Sequence, residues 1–199
     1  MEASRGGLTT SSQAEETARC GSTSEALVEG SWHRANGSWL NQRLRHDQTV
    51  AVQAAGWYRK AFTAGDANAL VALAFMYIGG ELTASEPLSE ANRLLRQAAA
   101  AGSATAMVRL AHHYLAGTGM PKDYVESQAL FLQASALGNV DADVGLGYLY
   151  QAELMPLSSD RSAAYWYERA AHAGNVEGQL RWARTLLDKG RSRQARDWF

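Results

Sequence analysis

An eleven-residue block with a glycine near its end recurs four times in the chain. Each copy begins with two large apolar or aromatic side chains, continues through alanines and reaches glycine at its ninth position. The glycines are Gly65, Gly102, Gly138 and Gly174, so the period is 37, 36 and 36 residues. A fixed period of this length predicts an array of stacked helical repeats, in which each repeat buries its apolar face against its neighbours.

Small, aliphatic and aromatic side chains recur at the same distances from these glycines. The fourth, eighth, ninth and twelfth residues after each glycine fall on one face of a helix with 3.6 residues per turn. These core rows are Ala69, Ala106, Ala142 and Gly178; Leu73, Leu110, Leu146 and Trp182; Ala74, Ala111, Gly147 and Ala183; and Tyr77, Tyr114, Tyr150 and Leu186. They predict the first helix of each repeat. The pairs Trp57-Tyr58 and Trp166-Tyr167, which open two of the blocks, are predicted to pack in the core.

A second helix is predicted between each first helix and the next glycine. Loops with glycine at 78–81, 116–119 and 188–190 follow the first helices, and residues 151–153 take that place in the third repeat. The prolines are Pro87, Pro121 and Pro156, and each comes near the expected start of a second helix, where a missing N–H is tolerated. Two antiparallel helices per period predict an all-α, right-handed superhelical solenoid of about four to five helix pairs.

Two runs of the chain resemble the Sel-one-like repeat (SLR), the longer relative of the tetratricopeptide repeat. Residues 114–123 hold its Gly-Thr-Gly loop, and residues 163–175 hold its Trp-Tyr pair and closing glycine. The resemblance covers about residues 49–199 and implies the same solenoid. The chain departs from the pattern at residues 151–156, which lack the double-glycine loop. It also lacks the paired cysteines of one secreted branch, so the penicillin binding ascribed to members of that branch is not expected here.

The pattern divides the chain into three parts. Residues 1–24 are rich in Ser, Thr, Gly and Glu and predict a flexible tail, because they cannot bury enough surface to offset the entropy of ordering. Residues 25–48 predict irregular helices that cap the array, and residues 49–199 predict a solenoid whose last repeat is incomplete. The terminal Trp198-Phe199 pair is costly to expose. This end is therefore predicted to continue in a longer protein or to dock, including by self-association.

Composition argues against several functions. The 20 acidic and 19 basic residues leave a formal charge of −1, without the basic field that binds nucleic acid. No apolar run is long enough for a transmembrane segment, and the N-terminus lacks the pattern of a secretory signal, which leaves the localisation open. The single cysteine excludes an internal disulfide. The histidines show no metal-ligand spacing; they are His33, His46, His112, His113 and His172. Without a grouped acid, base and nucleophile, we expect no enzymatic activity, metal or cofactor.

A partner surface is predicted on the concave face, which the first helices line in this class of repeat. The third, seventh and tenth residues after each glycine lie beside the core rows and vary in chemistry. From these rows we select as candidate binding residues Asn68, Phe75, Thr105, Arg109, His112, Asp141, Tyr148, Glu177, Arg181 and Arg184. Aromatic and arginine side chains together suit recognition of a protein segment, although exposed polar positions also occur without a ligand.

The resemblance implies a non-catalytic scaffold or adaptor that binds a partner protein or peptide on the concave face. It also implies an alternative, a component of a bacterial cell-envelope, secretion or exopolysaccharide system with a glycan or an envelope protein as ligand. Aromatic rings exposed in the groove would favour a glycan, and buried rings would disfavour it. A third hypothesis, a hydrolase, would require a pocket with a perturbed carboxylate or thiol.

Overall fold

The computed structural model describes residues 48–154 and 162–198, and within these ranges it contains nine helices and no strand. The helices are α1 (Gln48–Thr63), α2 (Ala69–Ile78), α3 (Pro87–Ala100), α4 (Ala104–Ala116), α5 (Tyr124–Ala136), α6 (Val140–Gln151), α7 (Ala163–His172), α8 (Val176–Asp188) and α9 (Ser192–Arg196). They confirm the predicted all-α solenoid. The prediction of a flexible tail at 1–24 lies outside the described residues, as do Pro156 and Phe199. The prediction of capping helices at 25–48 also lies outside them except for Gln48, which is the first residue of α1.

Helices that follow one another in the chain pack against one another from α1 to α9. The first helices of the repeats are α2, α4, α6 and α8, and the second helices are α3, α5 and α7. Both α4 and α8 also contact α6 directly, so the first helices lie side by side on one face of the array. This face is the concave one, because it is where helices of successive repeats approach one another.

The core rows are found where the period predicts them. All four residues of the fourth row are buried, and a Cβ added to Gly178 would lie 2.6 Å from the Cβ of Ala170, so its small size allows the close approach of α7. The eighth and ninth rows are buried throughout, while Tyr77 and Tyr114 of the twelfth row are half-buried. Tyr58, Trp166 and Tyr167 are buried as predicted. Trp57 is only half-buried, and the Lys60 ammonium lies 4.7 Å from the centre of its ring.

The prolines differ in their relation to the helices. Pro87 is the first residue of α3, where its missing N–H leaves no hydrogen bond unmade. Pro121 lies outside α5, which begins at Tyr124. There the Asp123 carboxylate accepts a hydrogen bond from the Glu126 N–H at 3.0 Å and caps the helix. Pro121 therefore lies near the start of the second helix, as predicted, but outside it, and Asp123 is the capping residue.

The loop after α6 lacks glycine at the residue whose backbone is left-handed. Glu153 has φ of +54°, whereas the corresponding Gly80 and Gly117 have φ of +73° and +78°. The Glu153 and Leu154 N–H groups still donate to the carbonyls of Tyr150 and Leu149, so the helix end closes in the usual way. A residue with a side chain pays a conformational penalty here that glycine does not.

We expect Glu153→Gly to raise the free energy of unfolding by about 0.5–1 kcal/mol, because it removes the strain of a left-handed residue that has a Cβ. In a chain of this size the melting temperature would rise by about 1–4 °C. Glu153→Ala keeps the Cβ and serves as the control, with no gain expected. Thermal and urea unfolding followed by circular dichroism measure both variants, and an equal gain in the two would show that the charge, not the backbone, was responsible.

Candidate functional site

A groove on the concave face crosses α4, α6 and α8 and encloses a cavity of about 370 Å³. Seven of the ten candidate binding residues line it: Thr105, Arg109, His112, Asp141, Tyr148, Glu177 and Arg181. Six residues outside the candidate set complete the lining: Val108, Asn139, Val144, Gly145, Tyr167 and Asn175. The third and tenth rows of α4 and α6 thus face one groove, whose binding role stays a prediction.

The other three candidates lie elsewhere. Asn68, at the start of α2, accepts a hydrogen bond from the Ser103 hydroxyl, which in turn caps α4. Phe75 is 42% exposed on α2, and the Arg109 guanidinium lies 5.0 Å from the centre of its ring. Arg184 is exposed on α8 outside the cavity. Asn68 therefore connects α2 to the start of α4, and Phe75 packs against the Arg109 side chain that lines the groove.

The floor of the groove depends on a glycine. The seventh row was predicted to lie on the open side, but Gly145 is buried, and a Cβ there would lie 2.4 Å from the Phe131 ring of α5. That prediction was wrong at Gly145 because the ring of the second helix reaches between α4 and α6. The neighbouring Val144 is half-buried and Val108 is buried, so the floor is apolar.

Tyr167 reaches the groove from the second helix α7. Its ring is 1% exposed, and its hydroxyl donates to the Gln151 side chain at 2.8 Å. Burial raises the pKa of Tyr167 to about 12, against the opposing charge of Arg181, so the hydroxyl is protonated at neutral pH. The sequence reasoning assigned this residue to the core and missed its contribution to the lining. In the sequence, Gly147 could have indicated the unusual position of Tyr167, because it is the single glycine in a ninth row that otherwise holds alanine.

The acidic groups of the groove already have partners within the protein. Asp141 lies in the first turn of α6 and accepts a hydrogen bond from the Asn175 amide at 2.7 Å. Glu177 lies in the first turn of α8 and pairs with Arg181 at 2.7 Å. Both carboxylates also face the positive end of a helix dipole. Glu177 therefore has a counterion, and Asp141, which keeps its charge, is stabilised by a neutral amide and a helix N-terminus before any partner arrives.

The two adjacent histidines of α4 have different surroundings. The His112 ring packs edge-on against Phe131 with centroids 5.0 Å apart. Burial lowers its pKa, Arg109 and His113 lower it further, and Asp141 opposes them. His113 hydrogen-bonds to the buried Asn92, whose amide also donates to the Thr118 carbonyl at 2.8 Å. Burial and then Arg109 lower the pKa of His113 as well. Both imidazoles are thus neutral at pH 7.

Two further observations concern the described part of the chain. Residues 48–154 and 162–198 contain no group of three His, Cys, Asp or Glu side chains placed to hold a metal ion. Among the same residues, no helix combines the length and the apolar composition needed to cross a membrane.

The Sel1 repeat family model matches four consecutive segments, residues 47–66, 67–103, 104–139 and 140–175. The chain belongs to the Sel1 repeat family. The segment boundaries fall one residue after the recurrent glycines, so the family repeat has the period found in the sequence and the predicted SLR resemblance is confirmed. Sel1 repeats commonly form protein-interaction scaffolds and are typically non-catalytic. No curated protein matches the chain significantly.

Solved structures with this fold include two that are similar to the chain. One is c5321, a protective antigen present in uropathogenic Escherichia coli strains that displays an SLR fold; it is 29% identical, with a TM-score of 0.68. The match covers 85% of this chain but 37% of c5321, so the chain spans little more than a third of that protein. The other is a Sel1 repeat protein from Oxalobacter formigenes, 24% identical with a TM-score of 0.72, covering 94% of this chain and 78% of that one. At this identity the second structure is evidence for the fold alone.

Proposed function

We propose that the chain is a non-catalytic scaffold that holds an extended segment of a partner protein in the groove across α4, α6 and α8. The observation that carries the proposal is the cavity of about 370 Å³, in which an apolar floor is bordered by charged and aromatic side chains from three helices. Protein segments are recognised by such combinations, in which aromatic and arginine side chains provide the anchors. The usual role of the family as an interaction scaffold supports the same reading.

Tyr148 is the natural place to test this proposal. Its ring is 44% exposed and lines the groove, so a bound segment would cover it. Replacing Tyr148 with a photoreactive benzophenone derivative of phenylalanine keeps an aromatic ring at the site. Leu132 is exposed on the second helix α5, outside the groove lining, and provides the matched control position.

We expect ultraviolet irradiation to cross-link a partner protein to the residue at 148 and not to the residue at 132. Mass spectrometry of the adduct then identifies the cross-linked peptide. Circular dichroism checks that both labelled proteins are equally helical. Cross-linking from 132 alone, equal cross-linking from both positions, or none from either would overturn the proposal.

A glycan or envelope ligand remains the alternative prediction. Three rings of the Trp-Tyr pairs are buried, namely Tyr58, Trp166 and Tyr167, and a buried ring cannot stack on a sugar. Phe75 is exposed, but Arg109 lies over its face. Tyr148 is the ring left for stacking within the groove, which favours a protein segment over a glycan.

Self-association through the C-terminal end also stays a prediction. Trp198 packs edge-on against His172 with ring centroids 5.0 Å apart and is half-buried. It adjoins the buried cluster that contains Trp182 and Leu186. Its apolar surface is therefore partly covered within one copy of the chain, which weakens the case for a dimer formed through this residue.

A further inference from the structure

The charged groups of the groove differ in whether the protein already compensates them. Asp141 and Glu177 each have a hydrogen-bonding or ionic partner and a helix N-terminus behind them. The guanidinium of Arg181 is neutralised by Glu177, and its side chain is 40% exposed. A partner that paired with any of these groups would compete with an interaction already present in the protein, which reduces the gain from binding.

Arg109 is different. It is exposed in the middle of α4, away from either helix end, and contacts the face of the Phe75 ring. Within the described residues it takes part in no ion pair and no hydrogen bond. Contact with a ring face holds the guanidinium in place and leaves its in-plane N–H donors for another acceptor. A preorganised, unpaired guanidinium is suited to a carboxylate, which it binds through two parallel hydrogen bonds.

The groups around Arg109 do not neutralise its positive charge. His112 and His113 are the nearest basic groups on α4, and both are neutral at pH 7 because their pKa values are lowered. Asp141, across the groove on α6, is the acidic group that faces this wall, and it forms no ion pair with Arg109. The wall therefore carries a net positive charge beside an apolar floor.

The cavity of about 370 Å³ has room for an apolar side chain next to that charge. Its floor there is bordered by Val108 and Val144, whereas the space beside Gly145 is already filled by the Phe131 ring. We infer that the groove selects a partner segment that carries an aspartate or glutamate beside an apolar residue, with the carboxylate bound by Arg109 and the apolar side chain resting on Val108 and Val144. This inference rests on the proposed function.

A random dodecapeptide library displayed on phage, selected against the full chain, tests the inference. We expect the wild type to enrich peptides with an acidic residue beside an aliphatic or aromatic one. Arg109→Glu should instead enrich peptides with lysine or arginine at that position, because the charge of the wall is reversed. Arg96→Glu is the matched control, since Arg96 is exposed on the second helix α3 and lies outside the groove lining, and it should select as the wild type does.

Affinities of the most enriched peptide give the second measurement. Arg109→Gln should weaken binding by about tenfold to a hundredfold, the usual effect of losing a charge-assisted hydrogen bond. Changing the acidic residue of the peptide to its amide should weaken binding to the wild type by the same tenfold to hundredfold factor. The same peptide change should weaken binding to Arg109→Gln only slightly, because the interaction is already lost in that variant. Fluorescence anisotropy of the labelled peptide measures all four pairs.

Thr105→Trp separates failure of the inference from failure of the proposed function. Thr105 is exposed and lines the cavity, so a tryptophan there fills the groove without disturbing the core. If the enriched peptides lack an acid, or Arg109→Glu still selects acids, and Thr105→Trp abolishes binding, the inference is wrong and the groove remains the binding site. If no peptide is enriched, or the peptides bind Thr105→Trp undiminished, both proposals are overturned.

Discussion

Replacing Arg169 with alanine is expected to lower the free energy of unfolding by about 2–3 kcal/mol. The Asp143 carboxylate on α6 is almost fully buried, with 5% of its side chain exposed, and both of its oxygens accept hydrogen bonds from the Arg169 guanidinium on α7. Arg169 also donates to the Ser135 hydroxyl and lies 4.8 Å from the centre of the Trp166 ring. Removing Arg169 leaves the buried Asp143 carboxylate without its counterion, a change that typically costs about 3–5 kcal/mol. We expect a smaller loss here, because Arg169 is itself 40% exposed.

The chain supplies a control for this prediction. Arg181 and Glu177 form an ion pair on α8 in which the carboxylate side chain is 49% exposed rather than buried, so Arg181→Ala should cost less than about 1 kcal/mol. Urea unfolding followed by circular dichroism gives both free energies. If the two arginine variants lose the same stability, the Asp143 carboxylate is less isolated from water than its burial indicates, and the prediction is wrong.

A double variant separates the lost pair from the buried charge. At the positions of Asp143 and Arg169, the preceding repeat has Met107 and Gln133. Asp143→Met with Arg169→Gln therefore restores the apolar and polar residues that this fold accepts one repeat earlier. We expect the double variant to recover most of the stability lost in Arg169→Ala, because an apolar replacement of a buried pair is often close to neutral.

The Asp143–Arg169 pair also shows what a periodic sequence can and cannot predict. The core rows were predictable because the repeat places the same position in the same environment several times, as Ala69, Ala106 and Ala142 illustrate. Asp143 occurs once, at a position where the two preceding repeats have the apolar Leu70 and Met107, and its partner lies on the next helix. The repeat pattern therefore identifies Asp143 as an unusual residue, but it does not identify the side chain that pairs with its charge.

The groove illustrates the same limit. Distances from the recurrent glycine identified seven of its lining residues, because those rows lie beside the core face of each first helix. They did not identify Tyr167, which enters from a second helix, or the burial of Gly145 against Phe131. Helical periodicity predicts the face of the helix on which a residue lies. It does not predict which side chains of neighbouring helices reach that face, because this depends on how three helices pack together.

Gly147→Ala is expected to lower the free energy of unfolding by about 1–3 kcal/mol, as overpacking of a filled core typically does. A Cβ at this position would lie 2.4 Å from the Tyr167 ring. The ring cannot swing aside freely, because it is buried and the Tyr167 hydroxyl is held by Gln151. Gly56→Ala is the control: it lies within α1 with no atom in the way, and alanine there should stabilise the helix by up to about 1 kcal/mol.

A second substitution decides whether the steric conflict is the cause. The positions of Gly147 and Tyr167 hold Ala74 and Leu95 two repeats earlier, which pairs a larger residue on the first helix with a smaller one on the second. Adding Tyr167→Leu to Gly147→Ala should therefore cost less than the sum of the two single changes, by about 1 kcal/mol or more in a double-mutant cycle. Additive costs would mean that α6 and α7 adjust to the methyl group independently of the ring. A cost that is less than additive would show that the residue at 147 contacts the ring of Tyr167 directly. Because Tyr167 also lines the groove, the size of the residue at 147 would then affect the depth of the proposed binding site.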